Sequence, residues 1–465
     1  MSITRRGFVA SVAAATAARL PAATATATGG KRFYKGQFHT HTYWSDGSAF
    51  PEQSVALYRD AGYDFLGISD HNVYDEGTRT KKVGRGRGEI RPEVFAAFRR
   101  DFPDCVAATT DAQGATVATL ATMEKLRARF ERSGRFLLLD AVEATTRVES
   151  AEGVVNQVHM NYLNVPGVAP YLKKPVVKGV AVAQRIEETR ASVAQLAQEL
   201  GREELFVLNH PIWRWYDVLA EDLVATPKVR FFEVCNGGSP YRAGKGLPAD
   251  GYDTDRLWDV VNAFRARRGE PLLYGVGNDD THEYFGMPGS APGIHCLPFN
   301  AWSLVRAEAL TPQALIAAMK AGDFAACEGV QPEDFAFDAA KGTLSVSVAG
   351  APRLCRTIQF IVTKKDFSET PVKTVEVMPE EVAEADRPKN VRRVKVYDPK
   401  KIGVVAKTVS GGVGEAVRAD YTLKPDDLYV RARILSPARP VASAYLHPRC
   451  HVAWTQPYVN AECRV

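Results

Sequence analysis

Between Arg32 and about residue 330, two hydrophobic rhythms alternate along the chain. Val55 to Ala61 follows a helical pattern closed by Gly62, and Phe65-Leu66-Gly67-Ile68 then reads as a short buried strand running into Ser69-Asp70-His71. Ile186, Val193, Leu196 and Leu200 recur at helical spacing, with Gly201 as the stop, ahead of a strand over Leu205–Leu208. Leu257, Val261 and Phe264 mark another helix, followed by a strand from Leu272 to Val276. Such alternation predicts an α/β fold, a parallel sheet or barrel with helices outside. Beyond residue 331 the period drops to two. Leu344, Val346 and Val348 alternate with Thr343, Ser345 and Ser347, and Leu428, Val430, Ala432 and Ile434 alternate with Tyr429, Arg431 and Arg433. This part, 331–465, is expected to be a separate all-β, sandwich-like module.

The first 28 residues stand outside both patterns. Thr4-Arg5-Arg6-Gly7-Phe8 opens an uncharged stretch of small apolar residues to Ala18, and an Ala/Thr tract with A-x-A cleavage options ends at Thr28. A charged start and a short apolar segment predict a signal peptide, and Arg5-Arg6-x-Phe8 resembles a twin-arginine signal. The expected location is therefore periplasmic or secreted, with residues 31–330 as the first folded unit.

The 465 residues have ordinary composition, 45% hydrophobic and 24% charged, which excludes wholesale disorder. No run of 18 apolar residues occurs, so no membrane-spanning helix is expected. Net charge is +5, but the first 28 residues hold three Arg and no acid, leaving 56 bases against 54 acids. That near neutrality counts against a nucleic-acid partner. Seven cysteines show no zinc-type CxxC spacing, and Cys450 with Cys463 is the candidate disulfide, two buried thiols being the equal alternative.

Chemistry concentrates where strands end. His39 and His41 sit two apart at the end of an expected strand, so both rings project from one face, as two ligands of one ion must. Asp46 follows; His71 comes after the next strand, Glu143 after Phe136–Leu139, His159 lies within Val158–Tyr162, His210 ends a further strand, and Asp280-Thr281-His282 follows the last. In a β/α barrel such ends converge on one face, and mixed imidazole and carboxylate sets suit Zn, Mn or Fe. Residues 79–91 carry six bases and one acid, a solvated loop or a phosphate-attracting lid through Arg85 and Arg87. Trp213 and Trp215 could stack on an aromatic substrate group or simply be buried.

Phe38-His39-Thr40-His41-Thr42 with Ser45-Asp46-Gly47, Ile68-Ser69-Asp70-His71-Asn72, Asn209-His210-Pro211 and Asp280-Thr281-His282 together resemble the polymerase and histidinol phosphatase (PHP) domain over residues 33–330. The resemblance implies a distorted (β/α)7 TIM-like barrel followed by the β-module. It also implies two or three divalent ions and hydrolysis of a small-molecule phosphate ester through a metal-bound hydroxide. Carried over residue by residue, it implies one ion on His39, His41, Glu143 and Asp280. Glu143 would bridge to a second ion on His159 and His210, and Asp46, His71 and His282 would hold a third. Asp280 is chosen over Asp279 by the D-x-H spacing. Glu143, His71, Asp280 and His282 are the candidate catalytic residues, and Asp70 a residue that orients a ligand. Arg147 and Arg214 are candidate substrate contacts.

A phosphomonoesterase leads this reading. A phosphodiesterase or nuclease-like hydrolase is the alternative, and a non-catalytic, metal-stabilised binding protein at the cell surface ranks behind both.

Overall fold

The computed structural model describes residues 30–77, 79–150, 153–173, 176–213, 216–237, 252–284, 296–377, 391–437 and 451–459. The expected signal segment 1–28, Arg214, Trp215 and the Cys450–Cys463 pair lie outside the described residues. The N-terminal strands are β1 (Arg32–Gln37), β2 (Phe65–Ile68), β3 (Thr80–Lys82), β4 (Ala107–Thr110), β5 (Thr116–Thr119), β6 (Leu137–Glu149), β7 (Val155–Leu163), β8 (Val176–Lys178), β9 (Leu205–Leu208), β10 (Phe231–Asn236) and β11 (Tyr274–Asn278). Between them run α1 (Pro51–Asp60), α2 (Pro92–Asp101), α3 (Met123–Phe130), α4 (Val182–Glu199), α5 (Ala220–Val224) and α6 (Thr254–Arg267). The later strands are β12 (Ala301–Ala307), β13 (Phe324–Glu328), β14 (Asp334–Asp338), β15 (Thr343–Val348), β16 (Thr357–Lys364), β17 (Lys373–Val377), β18 (Arg392–Val396), β19 (Val404–Ser410), β20 (Val417–Thr422), β21 (Asp427–Ser436), β22 (His451–Thr455) and β23 (Tyr458–Val459), with α7 (Pro312–Lys320) before β13.

Local chemistry sets the helix ends. Gly62 and Gly201 follow α1 and α4 with φ of +80° and +61°, a left-handed turn that glycine adopts without steric cost. Thr122 and Asp253 cap α3 and α6, each side chain accepting a backbone N–H of the first turn.

The fold is mixed α/β around a large sheet ordered β11-β10-β9-β7-β6-β2-β1-β12-β13-β22-β21-β16-β19. Its pairing departs from an all-parallel barrel. The β1–β2, β2–β6, β9–β10 and β10–β11 pairs are parallel, while β6–β7, β7–β9, β1–β12 and β12–β13 are antiparallel. The physical reason at β6–β7 is the short link between Glu149 and Val155, which allows a hairpin but no crossover. The free edge of β11 turns back onto the middle of the sheet through side chains. Ser303 Oγ bonds both the N–H (3.3 Å) and the carbonyl (3.2 Å) of Gly277, and the Gln456 amide does the same at Gly275 (both 2.9 Å). Gly277 permits the approach, since a Cβ there would stand 2.8 Å from the Trp302 carbonyl oxygen.

Among the described residues after 330 the regular elements are strands, and several of them continue the main sheet. β22 pairs with β13, so no seam separates the two parts there. The alternation in β21 also misleads: Tyr429 and Arg431 are buried, not solvated, because α6 covers that face. Arg431 binds Asp259 through Nε (2.8 Å) and Nη2 (2.7 Å), and its Nη2 also reaches Asp255 at 2.6 Å. Among the described residues no helix is long and apolar enough to cross a membrane.

Candidate metal centre

The β1, β2, β9 and β11 termini, with the middle of β6 and β7, bring His39, His41, His71, Glu143, His159, His210, Asp280 and His282 together, joined by Asp46 from the loop before α1. Glu143 is inside β6 rather than after it; the strand is longer than its apolar start predicts because β7 pairs along its whole second half. Across that pair Glu143 stands opposite Asn161 and His159 opposite Thr145, so alternation turns both ligand candidates to one face.

Glu143 lies at the centre. Its Oε1 is 3.2 Å from His39 Nε2, 3.2 Å from His159 Nδ1 and 3.6 Å from His210 Nε2; its Oε2 is 2.5 Å from His71 Nδ1 and 3.6 Å from His41 Nε2. Asp280 is the second hub, with Oδ1 3.1 Å from both His39 Nε2 and His41 Nε2 and Oδ2 3.9 Å from His210 Nε2. Asp46 Oδ1 lies 3.5 Å from His71 Nε2, 3.4 Å from His282 Nε2 and 3.9 Å from His41 Nδ1.

Five sets among the described residues hold their ligand atoms within 4.8 Å of one another: His39-His41-Glu143, His39-His210-Asp280, His71-Glu143-His159, His41-Asp46-His71-His282 and Asp280-His282-Cys296. The grouping differs from the one the sequence implies. His210 groups with His39 and Asp280, His71 also joins Glu143 and His159, His41 joins the Asp46 set, and Cys296 joins Asp280 and His282.

The donor chemistry fits cations. His39 Nε2, both ring nitrogens of His41, His159 Nε2 and Asp280 Oδ1 are buried without a hydrogen-bond partner. Native structures rarely leave buried polar atoms in that state, and nitrogens and oxygens aimed at a common point are what a metal ion satisfies. The protein also fixes which nitrogen is offered. His39 Nδ1 donates to Glu233 Oε1 at 2.7 Å, which leaves the Nε2 lone pair toward Glu143 and Asp280. His282 Nδ1 donates to the Asp280 carbonyl at 2.8 Å and so offers Nε2 toward Asp46. Burial opposes charge on the rings, and it lowers His41, with His282 and His71 beside it, to about 3 and His159 to about 4. On His39 the carboxylates of Asp280, Glu233 and Glu143 overcome burial and raise its pKa well above the ordinary value.

Asp70 acts one step back. Its Oδ1 accepts the Thr42 N–H (2.9 Å), the Ser45 N–H (2.8 Å) and the Ser45 hydroxyl (2.5 Å), and its Oδ2 accepts the Thr42 hydroxyl (2.8 Å), clamping the loop that carries Asp46. Asp279 turns away from the cluster and accepts from Tyr58, Phe299 and Ala301. His210 and Asp280 hold φ of +21° and +54°, so their backbones are bent to aim the side chains.

Glu233 and Thr145, absent from the sequence reading, and Asn209, quoted there without a role, complete the surroundings. Glu233 receives His39 Nδ1, the His210 N–H (2.9 Å) and the Asn236 (2.7 Å) and Asn278 (3.1 Å) amides. Asn209 donates to Glu143 Oε1 at 2.9 Å, and Thr145 Oγ1 lies 2.5 Å from His71 Nδ1. The signal for Glu233 was a single acid inside the apolar run Phe231-Phe232-Glu233-Val234.

The substrate candidates fare differently. Arg147 is exposed on the Glu143 face of β6, held by Gln157 at 3.1 Å. Arg85 and Arg87 are exposed on a turn, with Arg85 paired to Glu93 at 3.4 Å. The basic segment starts as β3 in a small sheet ordered β3-β5-β4. The Trp213 ring packs 5.3 Å from His210 and 6.1 Å from His159.

No protein-family model and no curated protein matches the chain. Similar solved structures include a two-domain protein from Bacteroides vulgatus, described as containing a PHP-like metal-dependent phosphoesterase. It is 14% identical, with a TM-score of 0.37, covering 93% of this chain and 95% of the other. An amidohydrolase from Chromobacterium violaceum with bound sulfate and no metal is 12% identical, with a TM-score of 0.26, over 57% of this chain and 92% of its own. A structure from Bifidobacterium adolescentis described as a putative metal-dependent phosphoesterase is 14% identical, with a TM-score of 0.28, over 57% of this chain and 92% of its own. At these scores the likenesses carry no argument about reaction or substrate, which rest on the chain's own residues.

Proposed function

We propose that the chain is a PHP-type, metal-dependent phosphoesterase with a distorted barrel at its core, acting on small phosphate esters and preferring monoesters. The observation that carries this reading is the sharing of Glu143 and Asp280 among overlapping ligand sets, which suits two or three divalent ions a few ångströms apart. His39, His41, His159, His210, Glu143 and Asp280 would hold ions on the buried side, and Asp46, His71 and His282 on the open side. Bound there, Mn, Zn or Fe supplies Lewis acidity that acidifies water and neutralises charge on phosphoryl oxygens.

The chain's own residues do the rest. Glu233 and the Asp280 carbonyl fix the tautomers of His39 and His282. Asp70 sets the position of Asp46 through the loop backbone, and burial of His39, His41 and Glu143 keeps bulk water from the inner side. The side chains of Asp46, His71 and His282 are 37%, 25% and 17% exposed, so a substrate approaches from their side. Export through a twin-arginine route belongs to the same proposal and rests on Arg5-Arg6-x-Phe8.

The test is hydrolysis of a chromogenic phosphomonoester and the matching diester by protein loaded separately with Mn, Zn or Fe. Glu143→Gln should abolish turnover. Wild-type rates in that variant would overturn the reading.

A further inference from the structure

Within β3 one of the two lysines turns inward. In β3 the outer residues Thr80 and Lys82 are exposed while Lys81 faces the body of the protein, opposite buried Ala118 of β5. Its ammonium donates to the Ser45 carbonyl, immediately before Asp46, and lies 5.5 Å from the centre of the Tyr43 ring. Burial lowers its pKa from the ordinary lysine value, and the carboxylates of Asp70 and Asp46 oppose that shift.

The small sheet is fastened to the site at three consecutive residues. Besides Lys81 on Ser45, the Trp44 indole donates to the Ala121 carbonyl at 3.0 Å, and the Arg91 N–H donates to the Tyr43 hydroxyl at 3.3 Å. Segment 79–121 therefore holds Lys81 in a fixed place against the loop of Asp46. That loop borders the open side of the cluster, whereas the inner ligands His39, His41 and Glu143 are fully buried. An ammonium has three donors, and among the described residues the Ser45 carbonyl is the hydrogen-bond acceptor that takes one of them.

We propose that Lys81 is the residue that receives the phosphate group of the substrate at the mouth of the site and tips selectivity toward phosphomonoesters. This rests on the phosphoesterase reading and deepens it. Near neutral pH a monoester carries between one and two negative charges, a diester one. A fixed ammonium beside the open ligands rewards the extra charge and donates to one of three unesterified oxygens, where a diester has two. Arg85 and Arg87, turned outward, do not serve this purpose.

The experiment compares Lys81→Met, Lys81→Arg and the outward control Lys82→Met in metal-loaded protein. It reads KM and kcat for a chromogenic monoester and its methyl diester, binding of inorganic phosphate by calorimetry, and bound-metal stoichiometry. Lys81→Met should raise the monoester KM and the phosphate Kd by about tenfold or more, the loss of one charged hydrogen bond. The diester KM should move less and the metal content not at all. Lys81→Arg should recover most of the loss, and Lys82→Met should match wild type. Unchanged phosphate binding in Lys81→Met, or an equal fall in kcat on both esters with loss of metal, would overturn the proposal and leave Lys81 as a staple of the Asp46 loop. If wild type cleaves neither ester, the phosphoesterase reading fails, and the phosphate titration still decides the role of Lys81.

Discussion

Glu233 offers a quantitative test of how the cluster is built. It touches four donors, two on each oxygen: His39 Nδ1 and the Asn278 amide on Oε1, the His210 N–H and the Asn236 amide on Oε2. Glu233→Gln keeps the shape but replaces one oxygen with an NH2 group, so two of the four donors meet a donor. Each buried donor left unsatisfied costs about 1–3 kcal/mol, or about 2–6 kcal/mol for the pair. If the amide NH2 faces His39, the ring relieves the clash by moving its proton from Nδ1 to Nε2. That holds a proton on Nε2, the nitrogen between Glu143 and Asp280 that a metal ion would need free. Loss of such an outer partner weakens metal binding by about 10–100-fold, or about 1.4–2.7 kcal/mol. Calorimetric titration of metal-free wild type and variant with Mn at pH 7 measures this directly. Equal affinity and equal stoichiometry in the variant would refute the argument that Glu233 sets the His39 tautomer.

Two further outcomes test the frame. Arg431→Met leaves Asp259 and Asp255 with less compensation between α6 and β21, where Arg431 is 1% exposed, and should destabilise the fold by about 3–5 kcal/mol in urea unfolding; a change below about 1 kcal/mol would show that this contact is not part of the cooperative unit. Glu52, 4% exposed at the start of α1, is pushed by burial from 4.5 up to about 7, so the folded state keeps a proton that the unfolded state releases, and stability from this group is lost as pH rises from 4.5 through 7. Glu52→Gln should therefore stabilise the protein at pH 8 by up to roughly 3 kcal/mol and by little at pH 4.5, seen in thermal melts; a pH-independent difference would refute this.

Much of the cluster was legible because its residues sit in contiguous strings at strand ends. His39-Thr40-His41, Asp70-His71 and Asn209-His210 each place a ligand candidate directly after an apolar run whose length fixes where the strand stops. What stayed hidden depends on facing. Charge counting singled out residues 79–91 but could not tell that Lys81 turns in while Arg85 and Arg87 turn out, because a three-residue strand has too little periodicity to read. Glu233 was hidden because three of its four partners, His210, Asn278 and His39, lie 23 to 194 residues away in sequence. The alternation of β21 was real, yet it could not reveal that α6 covers its polar face and turns two arginines into buried or half-buried partners of Asp255 and Asp259. Pairing direction was equally invisible, since apolar runs look alike in parallel and antiparallel neighbours.

The insertion of β22 between β13 and β21 has a consequence for how the chain comes to be folded. β13, Phe324-Ala325-Ala326-Cys327-Glu328, is buried throughout, and one of its two edges is completed only by residues 452–455. During synthesis that edge stands open while more than a hundred residues are still to be added. An apolar strand with unpaired N–H and carbonyl groups is a template for other chains. Gln456, which bridges the Gly275 edge of β11, arrives at the same late moment. The sheet therefore closes only once residues 452–456 have been made. A nascent chain is exposed to mispairing for that whole interval, and expression should respond strongly to chaperone supply and to truncation before residue 451.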